Sequence, residues 1–138
     1  MKNAAGKEFE RLVQIMRVLR GPNGCPWDQK QTHSSLRRFL LEETYEVLDA
    51  IDANNSSSLR EELGDYIFEA VFVAQLSEEA GDFSVGDVLN TVCEKLIRRH
   101  PYVFNRKSIQ DLKITSENAL QIWESIKTEE KLASRESS

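Results

Sequence analysis

The chain has 138 residues, a length typical of one domain with a hydrophobic core of its own. Its formal net charge of −5 argues against nucleic acid as a partner. No apolar run approaches the roughly 20 residues of a membrane span, and the first residues lack the apolar core of a signal peptide. We therefore expect one cytoplasmic domain over residues 1–138, with frayed tails at 1–6 and 131–138 and no membrane partner.

The two cysteines, Cys25 and Cys93, are far apart in the chain. This spacing excludes a C-x-x-C redox or zinc unit and argues against a disulfide framework. Cys93 falls near the apolar stripe of a predicted helix, so we expect it to be a small core residue. Cys25 is expected in a loop.

Apolar residues at helical spacing predict five helices and no strand. The first spans about 8–19 and is followed by a loop over 21–30, because glycine and proline disfavour regular structure there. Further helices are predicted over about 32–53 and 59–80, then from about 85 to 100 and from about 116 onward, with a polar connection over 105–115. Capping boxes are predicted at Ser58 with Glu61 and at Ser84 with Asp87, and Gly81 is predicted to end the third helix.

The third predicted helix is apolar nearly all round, which indicates burial on several sides. A helical protein of this size often completes its core by dimerising. We therefore predict an all-α fold, a helical bundle whose four-helix core is completed by a second copy.

Two clusters of carboxylates lie on the apolar faces of the second and third predicted helices. Glu43 projects into the apolar stripe of the second helix, with Glu46 at its edge, whereas Glu62, Asp65 and Glu69 share a strip of the third. The short polar connection between these helices predicts an antiparallel hairpin that brings the clusters face to face. Carboxylates on apolar surfaces need a compensating charge, and oxygen ligands favour Mg²⁺, or Mn²⁺ as a substitute.

Other residues are open to two interpretations each. The basic end of the fourth predicted helix, with Lys95, Arg98 and Arg99, is either a simple helix C-terminus or a clamp for phosphate. Trp27 either covers the core or stacks on a base. Lys30 is either solvated or a further phosphate contact.

Four segments of the sequence resemble the MazG nucleoside triphosphate pyrophosphohydrolases. They are GCPWD at 24–28, LEETYEVLDA at 41–50, ELGD at 62–65 and KLIRRHPYVF at 95–104, within a similar stretch over about 8–130. The resemblance implies a helical bundle completed by a second subunit, as a homodimer or a dimer of dimers. It also implies Mg²⁺-dependent hydrolysis of a nucleoside triphosphate to a monophosphate and pyrophosphate, in some relatives to remove aberrant nucleotides.

Site residues follow from matching these segments to the family pattern. The implied metal ligands are Glu43, Glu46, Glu62 and Asp65. Glu42 or Glu46 is the implied catalytic residue that orients or deprotonates the attacking water. The implied substrate-binding residues are Trp27, Lys30, Lys95, Arg98 and Arg99.

Three alternatives remain open on sequence grounds. Many MazG proteins carry two such domains, so the chain is either a single-domain enzyme or resembles the amino-terminal copy of a tandem one. A non-catalytic helical dimer with a structural ion would serve as an interaction module. A di-iron bundle is disfavoured, because neither acidic cluster contains the E-x-x-H pattern.

Overall fold

The computed structural model describes residues 4–105 and 113–136 of the chain. Within these ranges it contains helices and no strands, which confirms the all-α prediction. The helices are α1 (Ala4–Arg20), α2 (Pro26–Gln29), α3 (His33–Asp52), α4 (Ser56–Glu79), α5 (Val85–Arg99), α6 (Pro101–Phe104) and α7 (Ser116–Glu136). Among these described helices, none combines the length and apolar character needed to cross a membrane.

Two of the helices, α2 and α6, are absent from the five-helix prediction. The prediction that residues 21–30 form a loop without regular structure is wrong at Pro26–Gln29. Pro26 and Pro101 each stand at the start of a short helix. Proline is tolerated there because the first N–H groups of a helix have no partner within it.

The ends of the chain are more helical than expected. Helix α1 already begins at Ala4, and α7 continues to Glu136, so residues 4–6 and 131–136 are helical where fraying was predicted. Residues 1–3 and 137–138 lie outside the described residues. So does most of the connection predicted over 105–115, since the structure describes none of residues 106–112.

The connection between α3 and α4 is shorter than predicted. Asn54 adopts a left-handed conformation with φ of 53°, and its N–H donates to the carbonyl of Ile51 at 3.0 Å. Asn55 then caps α4, because its side-chain oxygen accepts from the N–H groups of Ser57 and Ser58 at 3.1 Å. The capping box predicted at Ser58 is therefore wrong, and α4 begins at Ser56. Only residues 53–55 join the two helices, which makes the predicted hairpin tight.

Helix α4 ends as predicted at Gly81, whose φ is 80°. The Gly81 N–H donates to the carbonyl of Glu78 at 3.0 Å, and the Asp82 N–H donates to the carbonyl of Ser77 at 2.9 Å. This pair of bonds satisfies carbonyls that would otherwise lack a partner at the helix end. Helix α5 follows at Val85, directly after Ser84.

The chain divides into two compact units, residues 1–85 and 86–138. The first unit has a core to which α1, α3 and α4 contribute Met16, Leu36, Val71, Phe72 and Leu76. In the second unit no described residue is fully buried. The prediction that Cys93 is a core residue is wrong, since it is exposed. A single domain over 1–138 stays a prediction.

Helix α4 is buried over only part of its length. Its second half supplies the buried residues, which lie between Val71 and Ser77. In the first half Leu63, Tyr66 and Ile67 are 42%, 42% and 44% exposed. The prediction of burial on several sides therefore does not hold within one chain for the first half of α4.

Arg20 fixes the segment that contains α2. Its Nη1 donates to the carbonyls of Asp28 at 2.7 Å and Gln29 at 3.1 Å, and its Nε donates to the carboxylate of Glu79 at 3.1 Å. The Arg20 side chain is only 12% exposed. This guanidinium thus joins the end of α1 to α2 and to the end of α4.

The turn between α1 and α2 requires glycine at position 24. A Cβ atom there would lie 2.1 Å from the carbonyl oxygen of Leu19, whereas a Cβ at Gly6 meets nothing within 4 Å. We expect Gly24→Ala to lower the free energy of unfolding by more than about 2 kcal/mol, because the backbone must move. Gly6→Ala is the control and should change it by no more than about 1 kcal/mol. Denaturant unfolding measures both free energies. If Gly24→Ala has the same free energy of unfolding as wild type, the close approach of residue 24 to the Leu19 carbonyl is contradicted.

Candidate metal centre

Three carboxylates from the α3–α4 hairpin converge on one point. Glu43 comes from α3, and Glu62 and Asp65 come from α4, three residues apart on one helix face. One oxygen from each of the three lies within 4.8 Å of the others. The structure therefore brings the two acidic clusters together, as the predicted hairpin requires.

The carboxylates of this cluster are poorly compensated by the protein. Glu43 Oε2 and Glu62 Oε2 are buried, and neither has a hydrogen-bond partner among the described residues. Burial, followed by the charges of Glu46, Asp65 and Glu62, raises the pKa of Glu43 to about 7. A hydrogen bond with Glu46, followed by burial, raises the pKa of Glu62. Each of these causes disfavours the ionised carboxylate, and none of them is a positive charge that would compensate it.

Glu46 belongs to the same cluster, although it lies outside the closest three. Its carboxyl group is close enough to those of Glu43 and Glu62 to interact with both. The structure thus gathers all four acids that the resemblance implied as metal ligands. Their role as ligands stays a prediction.

The side chain of Glu42 lies in a different environment from the four clustered acids. Its carboxylate lies 3.8 Å from Nε of Arg38, one helical turn earlier, and its side chain is 57% exposed. An exposed pair at this spacing is a common feature of a solvated helix face. The structure therefore does not bring Glu42 into the cluster, and its proposed action on water stays a prediction.

The donor set fits a hard divalent cation. All four side chains offer carboxylate oxygens, and two of those oxygens are buried without a partner in the described part of the chain. Mg²⁺ and Mn²⁺ prefer such oxygen ligands, whereas zinc favours sites with His or Cys. An ion bound here would supply the charge that these carboxylates lack.

Two of the predicted substrate-binding residues belong to α2 and its C-terminal end. Trp27 is 50% exposed, and its ring meets that of Phe39 edge to face, with centroids 5.3 Å apart. The Trp27 side chain therefore packs on Phe39 but does not cover the core. Lys30 is exposed and caps the C-terminus of α2.

Two of the remaining predicted residues are held by an acid that sequence reasoning missed. Within the second unit, Arg99 Nη2 donates to Glu130 Oε1 at 2.7 Å, and Arg98 Nε donates to Glu130 Oε2. These bonds lower the pKa of Glu130 to about 2. The Arg99 guanidinium also lies 4.6 Å from the ring centroid of Trp123. Trp123 and Glu130 are seven residues apart, which puts both on one face of α7. This spacing was the signal in the sequence that the two side chains could contact the same partner. Lys95 is half-buried.

The raised pKa of Glu43 predicts how the metal-free protein responds to pH. Between about pH 4.5 and about 7 the folded state holds a proton that the unfolded state has lost, so the free energy of unfolding should fall as pH rises. Metal binding needs the ionised carboxylate, so added Mg²⁺ should raise the melting temperature more at about pH 8 than at about pH 6.

Thermal melting with EDTA and with Mg²⁺ measures both effects. Glu43→Gln is the control, because it cannot titrate and should show a flatter profile. A wild-type profile that is equally flat across this range would contradict the uncompensated cluster.

Comparisons with known proteins agree with this architecture. Residues 31–104 match the model of the family described as the MazG nucleotide pyrophosphohydrolase domain. The nucleoside triphosphate pyrophosphohydrolase/pyrophosphatase MazG of Thermotoga maritima is 49% identical over 127 residues, which are 92% of this chain and 47% of that protein. The nucleoside triphosphate pyrophosphohydrolase of Escherichia coli (strain K12) is 47% identical over 125 residues, 90% of this chain and 46% of that protein. An uncharacterized protein of Bacillus subtilis (strain 168), YabN, is 47% identical over 131 residues, 94% of this chain and 26% of that protein.

A solved structure shows the same fold. The crystal structure of a mazG-related protein from Thermotoga maritima superposes with a TM-score of 0.70 and 34% identity, covering 86% of this chain and 98% of that one. The chain spans about half the length, or less, of the three curated relatives named above. The family match includes both acidic clusters and confirms the resemblance seen in the sequence, so the chain belongs to the MazG nucleotide pyrophosphohydrolase domain family.

Proposed function

We propose that this chain forms a nucleoside triphosphate pyrophosphohydrolase, which converts a ribo- or deoxynucleoside triphosphate and water to the monophosphate and pyrophosphate. The observation that carries the proposal is the convergence of Glu43, Glu62 and Asp65 within 4.8 Å. The names of the Thermotoga maritima and Escherichia coli relatives support it. Removal of aberrant nucleotides is the role that we propose for it in the cell, and we place it in the cytoplasm.

We propose Mg²⁺ as the cofactor, with Mn²⁺ as a substitute. Glu43, Glu46, Glu62 and Asp65 would hold it, and the buried, unpartnered oxygens of Glu43 and Glu62 support this choice. When bound, such an ion neutralises phosphate charge and makes a coordinated water more acidic. Phosphoryl transfer depends mainly on such neutralisation and on positioning, so the protein need not form a covalent bond to the substrate.

The protein's own contribution to the reaction is to place the water and remove its proton. The water oxygen attacks the α-phosphorus, and the bond from that phosphorus to the bridging oxygen breaks, so the bridging oxygen leaves with pyrophosphate. We assign the water's proton to Glu46, because its side chain is exposed and lies beside both Glu43 and Glu62. Glu42 is less suited, since it lies against Arg38.

Recognition of the rest of the substrate follows the family resemblance. Trp27 offers an exposed aromatic surface on which a base can stack, and Lys30 offers an exposed charge nearby in the sequence. Arg98 and Arg99 already bind Glu130, so they would have to share their N–H groups with a phosphate. Their contribution, and that of Lys95, stays a prediction.

A second copy of the chain is the partner that we propose for the α3–α4 hairpin. Seven large apolar residues of this hairpin are each at least 42% exposed: Leu41, Tyr45, Leu48, Ile51, Leu63, Tyr66 and Ile67. An apolar surface of this kind is uncommon on a monomer and is typical of an interface. Covering it with the same surface of another chain would complete a four-helix core, as a homodimer or a dimer of dimers.

The proposed reaction is tested by pyrophosphate release from a panel of nucleoside triphosphates with Mg²⁺, with Mn²⁺ and with EDTA. Glu62→Gln removes one proposed ligand, so its rate should fall by at least about a hundredfold. Glu61→Gln is the matched control, because Glu61 is the exposed neighbour of Glu62 on α4, and it should stay close to wild type. If wild type releases no pyrophosphate from any triphosphate while binding metal, the non-catalytic interaction domain replaces this proposal.

The proposed dimer is tested by the mass of the protein in solution, measured by light scattering. Ile67→Glu puts a charge in the exposed apolar face, so the mass should fall to that of one chain. Val18→Glu is the control, because Val18 on α1 is 68% exposed and lies outside the hairpin. An Ile67→Glu protein that keeps the wild-type mass would show that the hairpin is not the interface.

A further inference from the structure

Helix α2 is a single turn of four residues, and groups outside it must hold it in place. One turn of helix is not stable alone, because nucleation costs more than its few hydrogen bonds return. Arg20, at the end of α1, donates from Nη1 to the carbonyls of Asp28 at 2.7 Å and Gln29 at 3.1 Å. Carbonyls at a helix end lack N–H partners in a following turn, and a basic side chain can supply them. Arg20 is therefore a cap for α2 that comes from another helix.

The guanidinium of Arg20 is itself held at its other edge. Its Nε donates to the carboxylate of Glu79, at the end of α4, at 3.1 Å, and Nη2 binds the other oxygen. Gln75 also donates to Glu79, at 3.1 Å. The hydrogen bond with Arg20 is the main cause that lowers the pKa of Glu79, so this acid stays charged. With its side chain only 12% exposed, Arg20 joins α2 firmly to α1 and α4.

The side chain that α2 presents is that of Trp27. Its ring is 50% exposed and meets the ring of Phe39 edge to face, with centroids 5.3 Å apart. Phe39 lies four residues before Glu43 on α3, so the two share a face, about 6 Å apart along the helix axis. Trp27 therefore packs one helical turn from the metal centre. The exposed part of its indole is apolar surface in water, which a nucleotide base can cover by stacking.

We propose that Arg20 is a positioning residue for nucleotide recognition, because its guanidinium holds α2 where Trp27 can stack on the base. This role rests on the proposed function, in which Trp27 contacts the base. A surface that is already in place loses less conformational entropy on binding than a mobile one. Arg20 binds backbone carbonyls and Glu79, so it acts through Trp27.

The experiment is a double-mutant cycle on kcat and KM for pyrophosphate release from one nucleoside triphosphate with Mg²⁺. Trp27→Ala should raise KM at least about fivefold, since stacking is lost. Arg20→Lys keeps a charge for Glu79 but loses the planar fork that reaches the carbonyls at the same time. It should raise KM at least about threefold with kcat within about twofold of wild type. In the Trp27→Ala protein, Arg20→Lys should raise KM no further.

Arg17→Lys is the matched control. Arg17 also lies on α1 and pairs with an acid near the end of α4, Glu78, at 3.2 Å. Among the described residues its hydrogen bonds go to Glu78 and not to α2. Arg17→Lys should therefore keep the KM and kcat of wild type. Circular dichroism melting checks that each variant is folded.

A second measurement needs no activity. The chain has two tryptophans, so the Trp123→Phe protein leaves Trp27 as the only one. In that protein Arg20→Lys should raise the constant for quenching of Trp27 fluorescence by acrylamide, because α2 is less firmly held. Arg17→Lys should leave the constant unchanged.

Several results would overturn the proposal. They are a wild-type KM in Arg20→Lys or in Trp27→Ala, an equal effect of Arg20→Lys with and without Trp27, or a loss of kcat at constant KM. Each would make Arg20 a residue of the fold alone. Unchanged quenching in Arg20→Lys would do the same. If wild type releases no pyrophosphate, the proposed function fails instead, and the quenching still decides whether Arg20 positions Trp27.

Discussion

Repulsion among the carboxylates that α3 and α4 hold together is the constraint on which the rest of this structure depends. The packing of the hairpin brings Glu43, Glu62 and Asp65 within 4.8 Å, and burial leaves oxygens of Glu43 and Glu62 without partners in the described chain. Isolated charges in such a place are costly. Apolar packing of Leu36, Phe72 and their neighbours must hold the acids there, and a cation bound between the acids would remove their repulsion.

The segment between α1 and α3 shows how backbone contacts can place functional side chains. Gly24 allows the backbone to come close to the Leu19 carbonyl, and Arg20 donates to the carbonyls of Asp28 and Gln29 in α2. A single buried guanidinium therefore determines where Trp27 and Asp28 lie. Trp27 presents an exposed aromatic surface for the proposed base contact, whereas Asp28 is nearly buried.

The second unit solves a charge problem in the opposite way. There Arg98 and Arg99 end α5, and Glu130 on α7 binds both of them, while Trp123 stacks against Arg99. The positive charges are compensated within the protein, whereas the acids of the hairpin are not. This contrast is why a metal is expected at the hairpin, and why a phosphate at the arginines would compete with Glu130.

The sequence by itself determined the all-α class, the long helices and the acids that meet, because apolar residues at helical spacing and a short polar connection leave few other arrangements. It also indicated Gly81 as the end of α4, since glycine favours the left-handed conformation needed there. Only the structure revealed the short helices at Pro26 and Pro101, the cap at Asn55, the exposure of Cys93 and Glu42, and the partners of Arg20 and Glu130. The partners of Arg20 and Glu130 depend on which groups from distant parts of the chain come within hydrogen-bonding distance, and no local pattern records that distance.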